Sequence, residues 1–181
     1  MSSTPLRPLA LVGPMGAGKS TLGPALARTL GYEFVDVDAE IRREAGVDIP
    51  HIFSVEGEAG FRAREAHMIQ ALCERPGRVI ATGGGCVETL ANRTCLAQHC
   101  FIVYLRAQPE TSWRRVGQSK SRPLLAVPDP QGTLQQLFAR RDPLYREISH
   151  LTIDVDKLNT AQVQARIMAE FQPGGLFSEK Y

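Results

Sequence analysis

Leu9-Ala10-Leu11-Val12-Gly13-Pro14-Met15-Gly16-Ala17-Gly18-Lys19-Ser20 is the stretch that decides the fold of this chain. Its four leading apolar residues are strand-like, and residues 13–20 fit G-x-x-x-x-G-K-[ST] at every fixed position. A turn of this kind points successive backbone N–H groups at phosphate oxygens, and the following helix adds its positive N-terminal end. In this pattern Lys19 reaches the β- and γ-phosphates of a nucleoside triphosphate, and the Ser20 hydroxyl completes the shell of a bound Mg²⁺. The sequence therefore predicts a phosphate cradle between a strand over Leu9–Val12 and a helix over Lys19–Leu30, closed by Gly31. Pro24 removes one backbone donor from that helix and is expected to bend it slightly.

Outward from the cradle, short apolar runs alternate with amphipathic segments. Strands are expected at 33–35, 78–81, 100–105 and 151–153. Helices are expected at 39–45 (closed by Gly46), 49–55, 58–74, 89–98, 109–116, 133–141 and 161–171. In the helix at 58–74 the apolar positions are Phe61, Ile69 and Leu72. Strand alternating with helix implies a parallel sheet covered on both faces. Ligands of such sheets gather outside the carboxyl ends of the strands.

A cradle leaves the second substrate unspecified. Most such proteins end an apolar strand in an aspartate that holds the magnesium shell. Here the strand at 78–81 runs into Thr82-Gly83 with no acid, whereas the strand at 33–35 runs into Asp36-Val37-Asp38 with two. Asp36 is thus assigned to the magnesium side, through a bound water, and Asp38 to accepting a proton from an alcohol. Side chains two apart on a strand share a face, so both are expected to look into one site. The competing reading makes Asp38 only the N-cap of the helix at 39–45, which aspartate does well.

Gly83-Gly84-Gly85 after a strand is costly in chain entropy and offers no packing. Close approach of backbone to a ligand is one explanation, and a plain flexible turn is the other. Arg62, with Glu65 at i+3 to orient it, and Arg141 are candidate clamps on a carboxylate. Arg122 stands within 117–131, a stretch with little periodicity that reads as a lid, where a mobile cation can close over phosphates. Taken singly, each arginine is as readily a solvated surface charge.

Composition narrows the function classes. The 181 residues suffice for one well-packed domain. A net charge of +2 with no long basic stripe argues against a nucleic-acid partner. No apolar run approaches the length of a membrane span, and residues 1–5 lack a secretory signal, so a cytoplasmic location is expected. Cys73, Cys86, Cys95 and Cys100 show no zinc spacing and read as thiols, while the four scattered histidines are given no catalytic role.

Four motifs in order resemble those of shikimate kinases. They are Gly-Pro-Met-Gly-Ala-Gly-Lys-Ser-Thr at 13–21; Phe-Val-Asp-Val-Asp at 34–38 with Gly-Glu-Ala-Gly-Phe-Arg at 57–62; Ala-Thr-Gly-Gly-Gly at 81–85; and Arg-Pro-Leu-Leu at 122–125 with Arg-Asp-Pro-Leu-Tyr at 141–145. The resemblance spans Leu9 to about Phe171. It implies a three-layer α/β fold similar to nucleoside monophosphate kinases, with a five-stranded parallel sheet and helices on both faces. One domain, 1–181, would carry a lid at about 117–131 and an acceptor-binding helical segment at about 37–65. The implied reaction is phosphorylation of the 3-hydroxyl of shikimate, with ATP as co-substrate and Mg²⁺ as cofactor, on the route to chorismate and the aromatic amino acids.

Position by position, the resemblance implies Asp38, Arg62, Gly83, Gly84, Gly85 and Arg141 around shikimate, the two arginines holding its carboxylate. Gly16, Ala17, Gly18, Lys19, Ser20, Thr21 and Arg122 would surround ATP, Arg115 would stack on adenine, and Ser20 and Asp36 would lie on the magnesium side. Lys19, Asp38 and Arg122 would carry the chemistry. Two positions depart from the family pattern: Pro24 replaces a usual basic residue, and Thr160 stands near where some relatives place a proline. Small-molecule partners are expected, ATP and shikimate, with no nucleic acid, no membrane and a monomeric state. Two alternatives stand beside this reading: a kinase of another small hydroxy acid such as gluconate, and a non-catalytic nucleotide-binding module. The Asn/Thr-Lys-x-Asp motif by which GTPase switches read guanine is missing from the sequence.

Overall fold

The computed structural model describes residues 6–117 and 127–173. Five strands, β1 Leu9–Val12, β2 Glu33–Asp36, β3 Arg78–Ala81, β4 Phe101–Arg106 and β5 Leu151–Asp154, form one parallel sheet in the order β2-β3-β1-β4-β5. The helices are α1 Lys19–Leu30, α2 Val37–Ala45, α3 Ile49–Cys73, α4 Leu90–His99, α5 Pro109–Val116, α6 Pro130–Ile148 and α7 Thr160–Glu170. A short 3₁₀ turn, Cys86–Glu88, precedes α4.

The apolar strands are continuous because both of their faces are covered. Leu9, Leu11, Val79, Val103 and Leu105 pack with Leu22 and Leu26 of α1 and Val163 and Ile167 of α7. Ala10, Val12, Ile80, Ile102 and Tyr104 pack with Ile41 of α2, Phe61 and Ile69 of α3, Leu96 of α4 and Tyr145 of α6. Each of the large aliphatic side chains buried this way contributes roughly 1.5–3 kcal/mol before chain entropy is set against it. The predicted apolar positions Phe61, Ile69 and Leu72 are all buried. No helix among the described residues is long and apolar enough to cross a membrane.

Several sequence expectations are corrected. The strand at 33–35 ends at Asp36, and the helix after it begins at Val37 rather than Ala39. Asp38 therefore lies in the first turn of α2, and the strand-alternation argument for Asp36 and Asp38 does not hold. Nor does Asp38 cap the helix: Asp36 does, accepting from Ala39 N at 3.1 Å. The helices expected at 49–55 and 58–74 form one run broken at Gly57, whose φ of 70° and ψ of −176° interrupt the helical path. The helix expected at 133–141 is longer, since Asp129 caps it through Gly132 N at 2.9 Å and Pro130 fits its first turn. It also continues past Pro143, and the loop expected at 117–131 accordingly ends before Pro130. α1 runs through Pro24 as one helix of 12 residues.

Candidate active site

β1 lies in the centre of the sheet, and its carboxyl end opens into the glycine-rich turn. Gly13 adopts a φ of 144°, and a Cβ there would collide with the Leu105 carbonyl, so the turn rests on β4 only without a side chain. Gly16 and Gly18 also have positive φ, 76° and 97°. Ala17 N–H bonds Pro14 O at 3.3 Å, and the Thr21 and Leu22 N–H groups return to Gly18 O at 3.2 and 2.8 Å. Gly18 offers no side-chain oxygen to the start of α1, so nothing there competes with an anion for the helix N-terminus. Lys19 Nζ donates to Gly13 O at 2.7 Å and Pro14 O at 2.8 Å, which aims the ammonium along the turn. Arg115 spans the outer rim, donating to Gly16 O at 2.9 Å and Val155 O at 3.3 Å.

Ser20 Oγ donates to Asp36 Oδ2 at 2.7 Å. A hydroxyl and a carboxylate are thus in contact beside the cradle, as a shared hold on a cation requires. Among the described residues no three His, Cys, Asp or Glu side chains converge as a caged metal site would need. This donor set suits Mg²⁺, which keeps most of its waters and takes phosphate oxygens. The end of β3 carries Thr82 in place of an acid. Its hydroxyl and its N–H both donate to Leu11 O at 3.1 Å, fastening β3 to β1.

The three glycines leave β3 between the cradle and the end of β2. None of them has positive φ, so their role is space rather than a left-handed turn. A Cβ on Gly83 would stand 2.9 Å from Glu65 Oε1 and 3.0 Å from Asp38 Oδ1. A Cβ on Gly85 would collide with the Arg62 guanidinium, and one on Gly84 would lie 3.5 Å from Met15 N and 3.8 Å from Arg141 Nη1. Asp38, Arg62, Arg141 and the cradle therefore meet along one glycine floor. Arg62 Nη1 donates to Glu65 Oε2 at 2.7 Å, and Glu65 is fully buried. Burial pushes the Glu65 carboxyl up; Arg62 pulls it back, while Asp38 adds to the rise.

Sequence reasoning missed the partners of Arg141. Its Nε and Nη2 donate to Glu88 Oε2 at 3.0 and 2.6 Å, and Tyr145 donates its hydroxyl to Gly84 O. Asp142 accepts from Tyr104 Oη at 2.8 Å and Arg106 Nε at 2.9 Å, which fixes α6 to the end of β4, and from Arg146 Nε of its own helix at 2.8 Å. Tyr145 and Asp142 lie inside a quoted motif, but nothing in the sequence pattern marks Glu88 or Arg106. Arg122 and most of the expected lid lie outside the described residues.

A family model described as shikimate kinase matches residues 15–172. The shikimate kinase of Halorhodospira halophila is 49% identical over 169 residues, covering 93% of this chain and 95% of that protein. Among solved structures, shikimate kinase from Acinetobacter baumannii in complex with shikimate aligns with a TM-score of 0.87 at 45% identity, covering 90% of this chain and 91% of that one. A gluconokinase from Sinorhizobium meliloti aligns with a TM-score of 0.57 at 18% identity, covering 92% of this chain and 91% of that one, a likeness of fold alone. With the cradle, the acidic pair and the arginine-lined glycine floor in the family's order, the chain belongs to the shikimate kinase family.

Proposed function

We propose that this chain transfers the γ-phosphoryl group of ATP to the 3-hydroxyl of shikimate, yielding shikimate 3-phosphate and ADP. The observation that carries the reading is the glycine floor at 83–85, which gathers Asp38, Arg62 and Arg141 one strand away from the phosphate cradle. Two arginines beside one carboxylate base suit an acceptor that is both an acid and an alcohol.

Transfer is in line and direct, since a loose transition state needs positioning and charge neutralisation rather than a covalent enzyme intermediate. The bond from the γ-phosphorus to the β–γ bridging oxygen breaks as a bond to the acceptor oxygen forms. Gly16, Ala17, Gly18, Ser20 and Thr21 cradle the phosphates through the backbone, and Lys19 meets the charge growing on their oxygens. Asp38 orients the hydroxyl and takes its proton late in the reaction. Arg62 and Arg141 hold the carboxylate, and Arg115 lies against the adenine. Ser20 and Asp36 would hold Mg²⁺, which would supply positive charge to the triphosphate. Arg122, outside the described residues, would add its charge to the phosphates.

The enzyme is taken to work as a cytoplasmic monomer. A coupled ADP-release assay across shikimate, gluconate and other hydroxy acids tests the function. Turnover with shikimate well above the acceptor-free rate is expected. ADP release with gluconate alone would move the assignment to that acceptor, and no acceptor-dependent release would leave only nucleotide binding.

A further inference from the structure

Arg141 is 5% exposed, so its charge must be met by protein or by ligand. A guanidinium carries five N–H donors in a rigid planar fork. Glu88 takes two of them on one edge, with Oε2 at 3.0 Å from Nε and 2.6 Å from Nη2. Its other oxygen, Oε1, takes Arg140 Nε at 2.5 Å, so both carboxylate oxygens are engaged. The edge left over on Arg141 is the Nη1 side, which points towards Gly84.

Glu88 also occupies a strategic place in the chain. It ends the 3₁₀ turn that follows the three glycines, whereas Arg141 lies midway along α6. The ion pair therefore ties α6 to the glycine floor, beside the second tie from Tyr145 to Gly84. Burial pushes the Glu88 carboxyl up, but Arg141 and Arg140 more than offset this and hold it below the usual range. Its charge reaches Arg62 as well, where it favours the guanidinium. One carboxylate thus acts on both clamp arginines, orienting Arg141 by contact and offsetting the repulsion between the two.

We propose that Glu88 is the positioning residue for acceptor recognition: it fixes the Arg141 fork so that the remaining N–H groups face the acceptor's carboxylate over Gly84. This deepens the shikimate reading and rests on it. The rival is an internal competitor, a protein carboxylate sitting where the substrate's would. The edge used argues against that rival, because Glu88 takes Nε and Nη2 and leaves Nη1 to the floor.

The test compares wild type with Glu88→Gln and Glu88→Asp, using shikimate and its uncharged methyl ester as acceptors. For Glu88→Gln the KM for shikimate should rise about threefold to tenfold, the size of coupling between contacting residues. The KM for ATP and kcat should stay within about twofold, and the ester's KM should not change. Glu88→Asp, which keeps the charge on a shorter stem, should fall between. In an Arg141→Lys background the Glu88→Gln effect should vanish. An equal rise for acid and ester, an effect that persists without Arg141, or a lowered KM for shikimate would each overturn the proposal. Wild type run alongside separates the two levels: if it fails to phosphorylate shikimate, the functional reading falls, whereas a normal wild type with an indifferent Glu88→Gln sinks only the positioning role.

Discussion

Asp36 faces two ways from one position: Oδ2 accepts from the Ser20 hydroxyl at 2.7 Å, and Oδ1 caps α2 through Ala39 N at 3.1 Å. Helix start and phosphate cradle are thereby joined through a single carboxylate. Asparagine caps about as well as aspartate but brings no charge to a cation. Asp36→Asn should therefore melt within about 1 kcal/mol of wild type while its KM for MgATP rises about tenfold or more. Thermal unfolding and steady-state kinetics at varied Mg²⁺ check this, and a variant with unchanged magnesium dependence removes Asp36 from the metal side.

Asp38 is relieved of any capping duty, so its substitution reports on chemistry. Asp38→Asn should fold normally and lose roughly 10²–10⁴-fold in kcat, the usual contribution of a positioned base. A melting curve and a kcat measurement on the same preparation decide it. Near-normal turnover would leave Asp38 without its proposed role.

Gly84 is the floor position where a methyl group meets only ordinary contacts, none closer than 3.5 Å. Gly84→Ala should keep its fold and raise the acceptor KM by about tenfold through lost space for the substrate. Gly85→Ala must also displace the Arg62 guanidinium and should be impaired further. Acceptor titrations on both variants rank them, and an unchanged KM for Gly84→Ala ends the claim that the acceptor lies on that residue.

Asp142 joins α6 to β4 through Tyr104 and Arg106 and is held within α6 by Arg146. Burial pushes its carboxyl up, but Arg146, Tyr104 and Arg106 together hold it below the usual value. A depressed folded value means stabilisation that is present above the unfolded pKa and lost as pH falls through the folded one. Asp142→Asn should be less stable than wild type by about 1–3 kcal/mol near pH 7. That gap should close below the ordinary aspartate value of about 3.9. Urea unfolding at several pH values measures it, and a gap that is constant with pH contradicts the charge-based account.

Arg122 is assigned to the phosphates, so it should matter to the transfer step more than to acceptor binding. Arg122→Ala should lose kcat by about 10²-fold or more, with the KM for shikimate within about threefold. Single-turnover rates and acceptor titrations separate the two quantities, and a loss confined to KM would contradict a transition-state role.

Much of this protein was legible along the chain. The cradle is contiguous, since its chemistry lies in backbone amides and in Lys19 and Ser20, and the inner strands β1, β3 and β4 announced themselves as apolar runs because they are buried on both faces. The acidic pair was visible as composition but misread as geometry: a strand of four residues hands over to a helix at Val37, and Asp36 rather than Asp38 does the capping. The glycine triplet was visible too, but not the side chains of α2 and α3 that crowd Gly83 and Gly85.

The sequence by itself determined that a phosphate-binding α/β domain is present and which family its ordered motifs resemble. Only the tertiary structure decided which side chains meet. Glu88 and Arg141 are 53 residues apart, and Tyr104 and Asp142 are 38 apart. Their pairing depends on β3 and β4 flanking β1 and on α6 packing against β4 and the turn that follows β3. Local pattern records what a residue does to its own turn or strand; a charge held across the sheet leaves no periodic trace, because its partner is set by packing.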